Sequence, residues 1–190
     1  MRILLTAVFI FGLCPSPSAQ VTLTEVMANE PGRKSSLEWI EVYNTGAERE
    51  NLDDCILIEG KSKIRFPEGS VVLPGQCAVF ARKPVSGNPE EPSFENSWGN
   101  ASGEWGDCPE EQFALYPLRM SLRNSADKIV IYCNGDSVSG FAWNVDSGDG
   151  VSFEKRNLID GDVLNNWGVS TSVSGSTPGR LSKDITMDTA

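Results

Sequence analysis

The feature of this chain that most constrains its fold is a series of short runs rich in β-branched residues. Glycine, proline, asparagine and aspartate dominate the segments between them. No long stretch after Ala19 keeps a helical period, and only residues 109–118 could hold one turn of helix. Many short strands joined by turns predict an all-β sandwich or barrel. The predicted strands lie at 21–26, 37–43, 55–59, 63–66, 71–73, 76–81, 128–133, 136–143, 151–154 and 166–168.

The clearest local signal is a β-hairpin late in the chain. Residues 128–133 and 136–143 are both rich in strand-forming residues, and Asn134 and Gly135 stand between them. Both of these residues tolerate a positive φ, which the tight turn of a two-residue hairpin requires. The sequence therefore predicts that the two runs pair antiparallel.

Residues 84–117 differ in composition from the rest of the chain. They are rich in glycine and proline, and they contain seven acidic residues and no lysine or arginine. The stretch is too long for an ordinary hairpin loop, so we expect a surface insertion that Cys108 could pin. Near the end, 170–179 has the Ser/Thr/Gly composition of a linker, and 183–190 is expected to be a loose tail.

The first 19 residues have the layout of a secretory signal. A basic start is followed by an apolar run at 3–13 and then by proline and small residues, so cleavage is expected after Ala19. The apolar run is too short to span a bilayer, which needs about 20 residues. Lipid modification at Cys14 is the alternative, although Leu13 is larger than the residue that this chemistry prefers. We expect a secreted or cell-surface protein, and the periplasm is the alternative location.

Composition excludes several classes of function. The chain has 190 residues, enough for one domain with its own core. It contains no histidine, which excludes Ser-His-Asp triads, Cys-His pairs and zinc sites with histidine ligands. Its net charge of −10 argues against a nucleic-acid partner, because affinity for phosphate backbones comes mostly from lysine and arginine.

The cysteines indicate disulfides. An even number in an exported protein is typical of disulfide pairing, and four cysteines allow three pairings. If 76–81 lay antiparallel to 128–133 in a suitable register, Cys77 would stand opposite Cys133 and leave Cys55 for Cys108. A four-cysteine metal site is less favoured because no CxxC spacing occurs. The cysteines that remain after removal of residues 1–19 are Cys55, Cys77, Cys108 and Cys133.

Several motifs in a fixed order resemble the lamin-tail domain in its exported bacterial form, over about residues 21–182. The resemblance implies an immunoglobulin-like β-sandwich without catalytic residues or cofactors, used as an accessory or surface module. The chain departs from the family in its insertion and its four cysteines, and it has no coiled-coil rod or prenylation motif, so filament and nuclear roles are not carried over. The motifs are 24–29, 38–44, 52–57, 73–76, 122–131, 138–143, 151–156, and Trp167 with 177–179.

Three acidic residues match acidic positions of the family pattern: Glu25, Glu38 and Glu41. With alternating side chains, Glu38 and Glu41 would face opposite sides of a strand, which is a poor arrangement for an acid/base pair. The favoured interpretation is that Glu41, together with Asn44 and Asn124, hydrogen-bonds loops and strand ends.

Residues 144–150 contain Asp146 and Asp149, and clustered carboxylate oxygens of this kind are typical calcium ligands. The ligand spacing of an EF-hand fails here, because Lys155 occupies the twelfth position. Asp/Gly turns are the favoured alternative, since both residues are common turn formers.

Two tryptophans of the insertion, Trp98 and Trp105, have two equally weighted interpretations. Exposed aromatic rings on a secreted sandwich could stack on sugars, or the rings could fold back and anchor the loop. Trp39, Trp143 and Trp167 lie in strand-like runs and are expected in the core.

Together these features predict a non-catalytic interaction module with a protein or cell-surface partner. A carbohydrate-binding module that uses Trp98 and Trp105 is the first alternative. The second is a metal-dependent enzyme that uses Glu25, Glu38, Glu41 or the Asp146/Asp149 pair, and it requires these carboxylates to share a cleft.

Overall fold

The computed structural model describes residues 20–186, and twelve β-strands provide most of its regular structure. The same range holds one short α-helix, α1 (Phe94–Trp98), and 3-10 helices at Pro31–Arg33, Ser35–Leu37, Pro109–Glu111 and Leu164–Asn166. The strands are β1 (Val21–Asn29), β2 (Trp39–Asn44), β3 (Glu50–Asn51), β4 (Cys55–Glu59), β5 (Ser62–Arg65), β6 (Val71–Val72), β7 (Cys77–Ala81), β8 (Ala114–Pro117), β9 (Asp127–Cys133), β10 (Asp136–Trp143), β11 (Val151–Lys155) and β12 (Trp167–Val169).

The strands form two sheets that pack as a sandwich, which confirms the predicted immunoglobulin-like all-β class. One sheet has six strands in the order β12-β11-β1-β2-β7-β8, and the other has four in the order β10-β9-β4-β5. A small pair, β3-β6, stands beside them. Neighbours pair antiparallel except β7 and β8, which are parallel. A parallel pair needs a crossover connection, and the insertion supplies it.

The main core fills the space between the two sheets. Alternate side chains of the six-stranded sheet, such as Leu23, Ile40 and Phe80, meet Leu57 and Ile131 of the four-stranded sheet, and all five are fully buried. The predicted core residues Trp143 and Trp167 belong to this cluster as well. Each buried side chain of this size contributes about 1.5–3 kcal/mol, so this layer dominates the stability.

A second apolar cluster lies on the other face of the six-stranded sheet. Trp39 is fully buried, as expected of a core residue, but it points away from the main core and packs with Met27, Val79 and Phe94. The insertion covers this face at Met27, Trp39 and Val79, and residues 170–179 cover Glu25, so β1 is buried along its whole length. The sheet is therefore covered on both sides.

The predicted hairpin is confirmed. β9 and β10 pair antiparallel, Cys133 is opposite Asp136, and the turn residues Asn134 and Gly135 have φ values of 54° and 92°. These positive values are the reason that an Asn-Gly pair specifies this turn.

The suggested cysteine pairing is wrong. The disulfide joins Cys55 to Cys133, which face each other on β4 and β9, and Cys77 and Cys108 are free. The suggestion required β7 to pair with β9. β7 instead lies in the six-stranded sheet, where Cys77 shares the outer face with Val79, whereas Cys133 points into the main core.

The predicted signal segment, with Cys14, lies outside the described residues, as do residues 187–190 of the expected loose tail. The part of the tail that is described is not loose. Thr186 forms a parallel bridge with Asn157, and its amide donates to the carbonyl of Arg156 at 2.8 Å. The ordered chain therefore extends beyond residue 183.

Candidate functional site

Three glutamates lie side by side on the outer face of the six-stranded sheet. Glu154 on β11, Glu25 on β1 and Glu41 on β2 are in register across neighbouring strands. All three are buried, Glu25 and Glu41 with 1% exposure. The sequence indicated two members of this glutamate row. The third, Glu154, was marked only by its place in the 151–156 motif.

The segment 170–179 is fastened over the glutamate row. The amide of Thr177 donates to Oε1 of Glu25 at 2.8 Å, and the amide of Gly179 donates to Oε2 of Glu41 at 2.7 Å. The stretch with linker-like composition is therefore a strap bound to the sheet. The last motif of the family resemblance here meets the first two motifs in space.

Hydroxyl groups occupy further acceptor positions of the row. A buried carboxyl group is stable only when its oxygens are bonded, and serine and threonine supply these bonds without adding charge. The donors are Ser152 Oγ to Glu25 Oε1 at 2.5 Å, Thr24 Oγ1 to Glu41 Oε1 at 2.6 Å and Ser170 Oγ to Glu154 Oε1 at 2.6 Å.

Burial dominates the protonation of the row. It raises the pKa of Glu41 to about 7, against the opposing bonds from Thr24 and Gly179. Burial, followed by the charge of Glu41, also raises the pKa of Glu25 well above its ordinary value. These two carboxyl groups are bonded to the protein and almost without solvent contact, so a substrate could not reach them while the strap is in place.

Glu38 lies apart from the row, at the end of the 3-10 helix that precedes β2. Its Oε2 accepts from Arg82 Nη1 at 3.2 Å and from the amide of Leu122 at 3.1 Å. Burial raises the pKa of Glu38 to about 7. An enzyme would need Glu25, Glu38 and Glu41 in one cleft. They are instead divided between separate hydrogen-bond networks.

The two asparagines of the structural interpretation do bind loops and strand ends. Asn44 donates to the carbonyls of Glu48 and Val72, at 2.7 and 2.9 Å. Asn124 donates to the side-chain oxygen of Asn29 at 2.8 Å. These bonds join the motifs of the resemblance to the loops beside them.

The tryptophans of the insertion fold back onto the sheet and are not exposed as the carbohydrate alternative required. Both are partly buried and pack around Phe94, with ring centroids 5.1 Å away for Trp98 and 5.5 Å away for Trp105. The indole of Trp98 donates to Ser176 Oγ at 2.9 Å, and that of Trp105 donates to the carbonyl of Phe113 at 3.0 Å. The rings therefore anchor the loop.

Two buried carboxylates organise the insertion from within. Glu95 accepts the amides of Ser102 and Gly103, at 2.6 and 3.4 Å. Glu111 accepts the amides of Asn100 and Gly106, both at 2.9 Å. A segment without lysine or arginine thus uses backbone amides as partners for its buried acids.

The aspartates of the calcium interpretation hold loops together. Asp146 Oδ1 accepts from Asn29 Nδ2 at 2.6 Å and from the amide of Gly148 at 2.9 Å. Asp149 Oδ1 accepts the amide of Gly32 at 3.0 Å. These bonds agree with the Asp/Gly-turn interpretation.

Within residues 20–186, one group of side chains has the composition and spacing to bind a metal ion, and it lies in the insertion, away from Asp146 and Asp149. Asp107, Cys108 and Glu111 have ligand atoms within 4.8 Å of one another. Glu111 already accepts two backbone amides, and Asp107 accepts from Asn100 Nδ2 at 2.9 Å. These bonds give the carboxylates a structural role in the insertion.

The free thiol of Cys77 is buried beside Glu41. Burial, followed by the neighbouring carboxylate, raises the pKa of Cys77. A thiol in such surroundings stays protonated and is a poor nucleophile.

Across residues 20–186, no helix is both long enough and apolar enough to cross a membrane.

Comparison with known proteins gives a family and a similarity to solved structures. The family model of the lamin tail domain matches residues 15–145. A crystal structure of a DUF4876 family protein from Bacteroides thetaiotaomicron VPI-5482 is similar, with 13% identity and a TM-score of 0.35. That similarity covers 60% of this chain and 42% of the other, so it spans less than half of the neighbour's length. Curated proteins gave no match.

Proposed function

Since this chain belongs to the lamin tail domain family, we propose that it acts as a secreted or cell-surface module that binds a macromolecular partner. The family is a protein-interaction type of domain with an immunoglobulin-like fold, and such domains are typically not enzymes. Strands position the loops and faces of these modules, and binding then occurs on the surface.

The observation that carries the extracytoplasmic part of this proposal is the disulfide between Cys55 and Cys133. Both cysteines are buried in the main core, on neighbouring strands of the four-stranded sheet. Disulfides form and persist in oxidising compartments and are rare in the cytosol. The signal-like layout of residues 1–19 supports the same location.

The bonding of the acidic side chains supports binding over catalysis. A general acid or base must reach the proton that it transfers, within hydrogen-bond distance of a substrate. Glu25, Glu38 and Glu41 are buried and bonded to the protein itself. The two alternatives lack comparable support within residues 20–186. Trp98 and Trp105, which carbohydrate binding would use, are bonded to the protein, and the acids that a metal-dependent enzyme would use do not share a cleft.

The experiment is to express the full chain, with its own N-terminus, in a Gram-negative bacterial host. Fractions are separated, and the protein is alkylated under denaturing conditions before and after reduction. We expect an extracytoplasmic product that begins at Gln20, with two reactive thiols before reduction and four after it. The matched control lacks residues 1–19 and is expected to stay in the cytoplasm with four thiols.

Either of two results would overturn the proposal. One is a full-length chain that stays in the cytoplasm with four reactive thiols. The other is an extracytoplasmic chain that has four reactive thiols before reduction, since the disulfide that carries the extracytoplasmic part of the proposal would then be absent.

A further inference from the structure

The outer face of the four-stranded sheet has side chains arranged in regular rows. The register places Tyr132 of β9 beside Ile56 of β4, and the row ends at Arg65 on the edge strand β5. The next row runs from Val130 through Ile58 to Lys63. Lys128, one step further along β9, lies beside Ala142 of β10. We call these residues the basic face: Ile56, Ile58, Lys63, Arg65, Lys128, Val130 and Tyr132.

The centre of the basic face is apolar and belongs to neither core. Ile56, Ile58, Val130 and Tyr132 are half-buried, and they take part in neither of the two apolar clusters of residues 20–186. An apolar centre with a polar rim is the usual anatomy of a protein interface. The six-stranded sheet has such a centre too, but the insertion covers it.

The rim of this face is cationic. Lys63, Arg65 and Lys128 are exposed, and the positions that point outward from these four strands include no acidic residue. Lysine on an edge strand such as β5 can serve to prevent edge-to-edge pairing. That explanation does not extend to Lys128, because β9 is an interior strand.

The opposite layer of the sandwich has the opposite charge. The insertion, which covers the outer face of the six-stranded sheet, exposes Glu90, Glu104, Asp107 and Glu110. No ion pair to these four residues is found among residues 20–186, where the three pairs present involve other groups. Two faces that point in opposite directions thus carry complementary charges.

We propose that the basic face binds the acidic insertion of a second copy of this chain, so that copies associate head to tail. This inference rests on the proposed interaction function and names its partner. A symmetric contact between two basic faces would set three cations against three others, which charge repulsion disfavours. The contact is therefore heterologous, with different surfaces on its two sides, and it can propagate along a chain of molecules.

The size of the face sets the strength of the contact. Four strands about 4.8 Å apart, with rows spread over about 15 Å, offer roughly 300 Å² of projected area. That lies well below the roughly 800 Å² per partner of a stable complex, so we expect weak association that depends on charge. Exposed charges are screened over about 10 Å at 0.1 M salt, so the contact should weaken as salt is added.

The test measures self-association of the folded mature chain by sedimentation velocity. Wild type is examined up to several hundred micromolar, in salt of about 20 mM and about 0.5 M. The face variant is Lys63→Glu/Lys128→Glu, and the insertion variant is Glu90→Lys/Glu104→Lys/Glu110→Lys, which leaves Asp107 as the single acid among the four exposed positions. The control variant, Lys34→Glu/Arg49→Glu, changes net charge as the face variant does but at exposed positions away from the basic face. Thermal unfolding checks that every variant is folded.

We expect wild type and the control variant to associate at low salt. Their dissociation constants should be at least about tenfold higher at high salt. Each charge-reversed variant alone should remain monomeric, because both of its surfaces then carry the same sign. An equal mixture of the two variants should associate again, because every contact between unlike copies regains opposite charges.

Two results would overturn the inference. One is wild type that stays monomeric at every concentration at low salt. The other is a mixture that fails to associate although both variants are folded. Neither result bears on whether the protein is exported, so failure here is distinguishable from failure of the proposed function.

Discussion

Replacing both cysteines of the disulfide, in the variant Cys55→Ala/Cys133→Ala, should destabilise the protein strongly. The bridge joins residues separated by 78 positions, and it restricts the unfolded chain to a large closed loop. Loop-closure entropy for that length is about 15 cal/mol/K, which corresponds to about 4.5 kcal/mol at 25 °C. Stability of a domain is typically about 5–15 kcal/mol, so the bridge would supply a large share of it.

Urea unfolding measures this loss by linear extrapolation of the free energy. Reduced wild type should match the double variant to within about 1 kcal/mol, since alanine removes only two sulfur atoms in addition. The slope of the free energy against urea should also rise, because an unfolded chain without the bridge exposes more surface. The matched control is Cys108→Ala, which removes a free and half-buried thiol and should keep nearly full stability.

Two results would refute this reasoning. A double variant within about 1 kcal/mol of wild type would mean that the bridge does not constrain the unfolded chain as the loop model requires. A loss in Cys108→Ala as large as that of the double variant would mean that Cys108 is bridged, which contradicts the pairing across β4 and β9.

Three further predictions concern the buried networks. Because burial raises the pKa of Glu41 from 4.5 to about 7, the unfolded chain loses this proton before the folded chain does. The free energy of unfolding should therefore fall by up to about 3 kcal/mol between pH 4.5 and 7. In urea titrations, Glu41→Gln should flatten this part of the stability–pH profile. Parallel profiles of wild type and variant would contradict the role of Glu41. Phe94→Ala should cost about 3–5 kcal/mol, because its ring packs against Trp39, Trp98 and Trp105, and limited proteolysis should then cut the insertion faster; an unchanged cleavage rate would contradict the anchoring role. Asn166→Ala leaves the carbonyls of the 157–166 loop without their buried donor, so hydrogen exchange should accelerate in that loop, and exchange unchanged there would speak against its role.

Features that depend on neighbouring residues were predictable from the sequence. The β9–β10 hairpin follows from positive φ at Asn134 and Gly135, and the alternation of buried and less buried side chains along β9 follows from the pleat. The family resemblance rests on the same kind of information, and the family model supports it.

Features that depend on which strands pair were not predictable in this way. Cys77 and Cys133 lie in strands of similar composition, and nothing in either strand states that they belong to different sheets. Trp39 was correctly expected to be buried, but which face buries it depends on the insertion that covers the six-stranded sheet. The same cover decided that Trp98 and Trp105 are anchors.

The sequence by itself determined the strand runs, the turns and the all-β class, because these follow from backbone preferences and side-chain period within a few residues. Only the tertiary structure decided the disulfide, the glutamate row beneath its strap and the charge difference between the two outer faces. Each of these brings together residues that are far apart in the chain. Contacts of that kind are selected by the packing of the whole sandwich, which no local pattern contains.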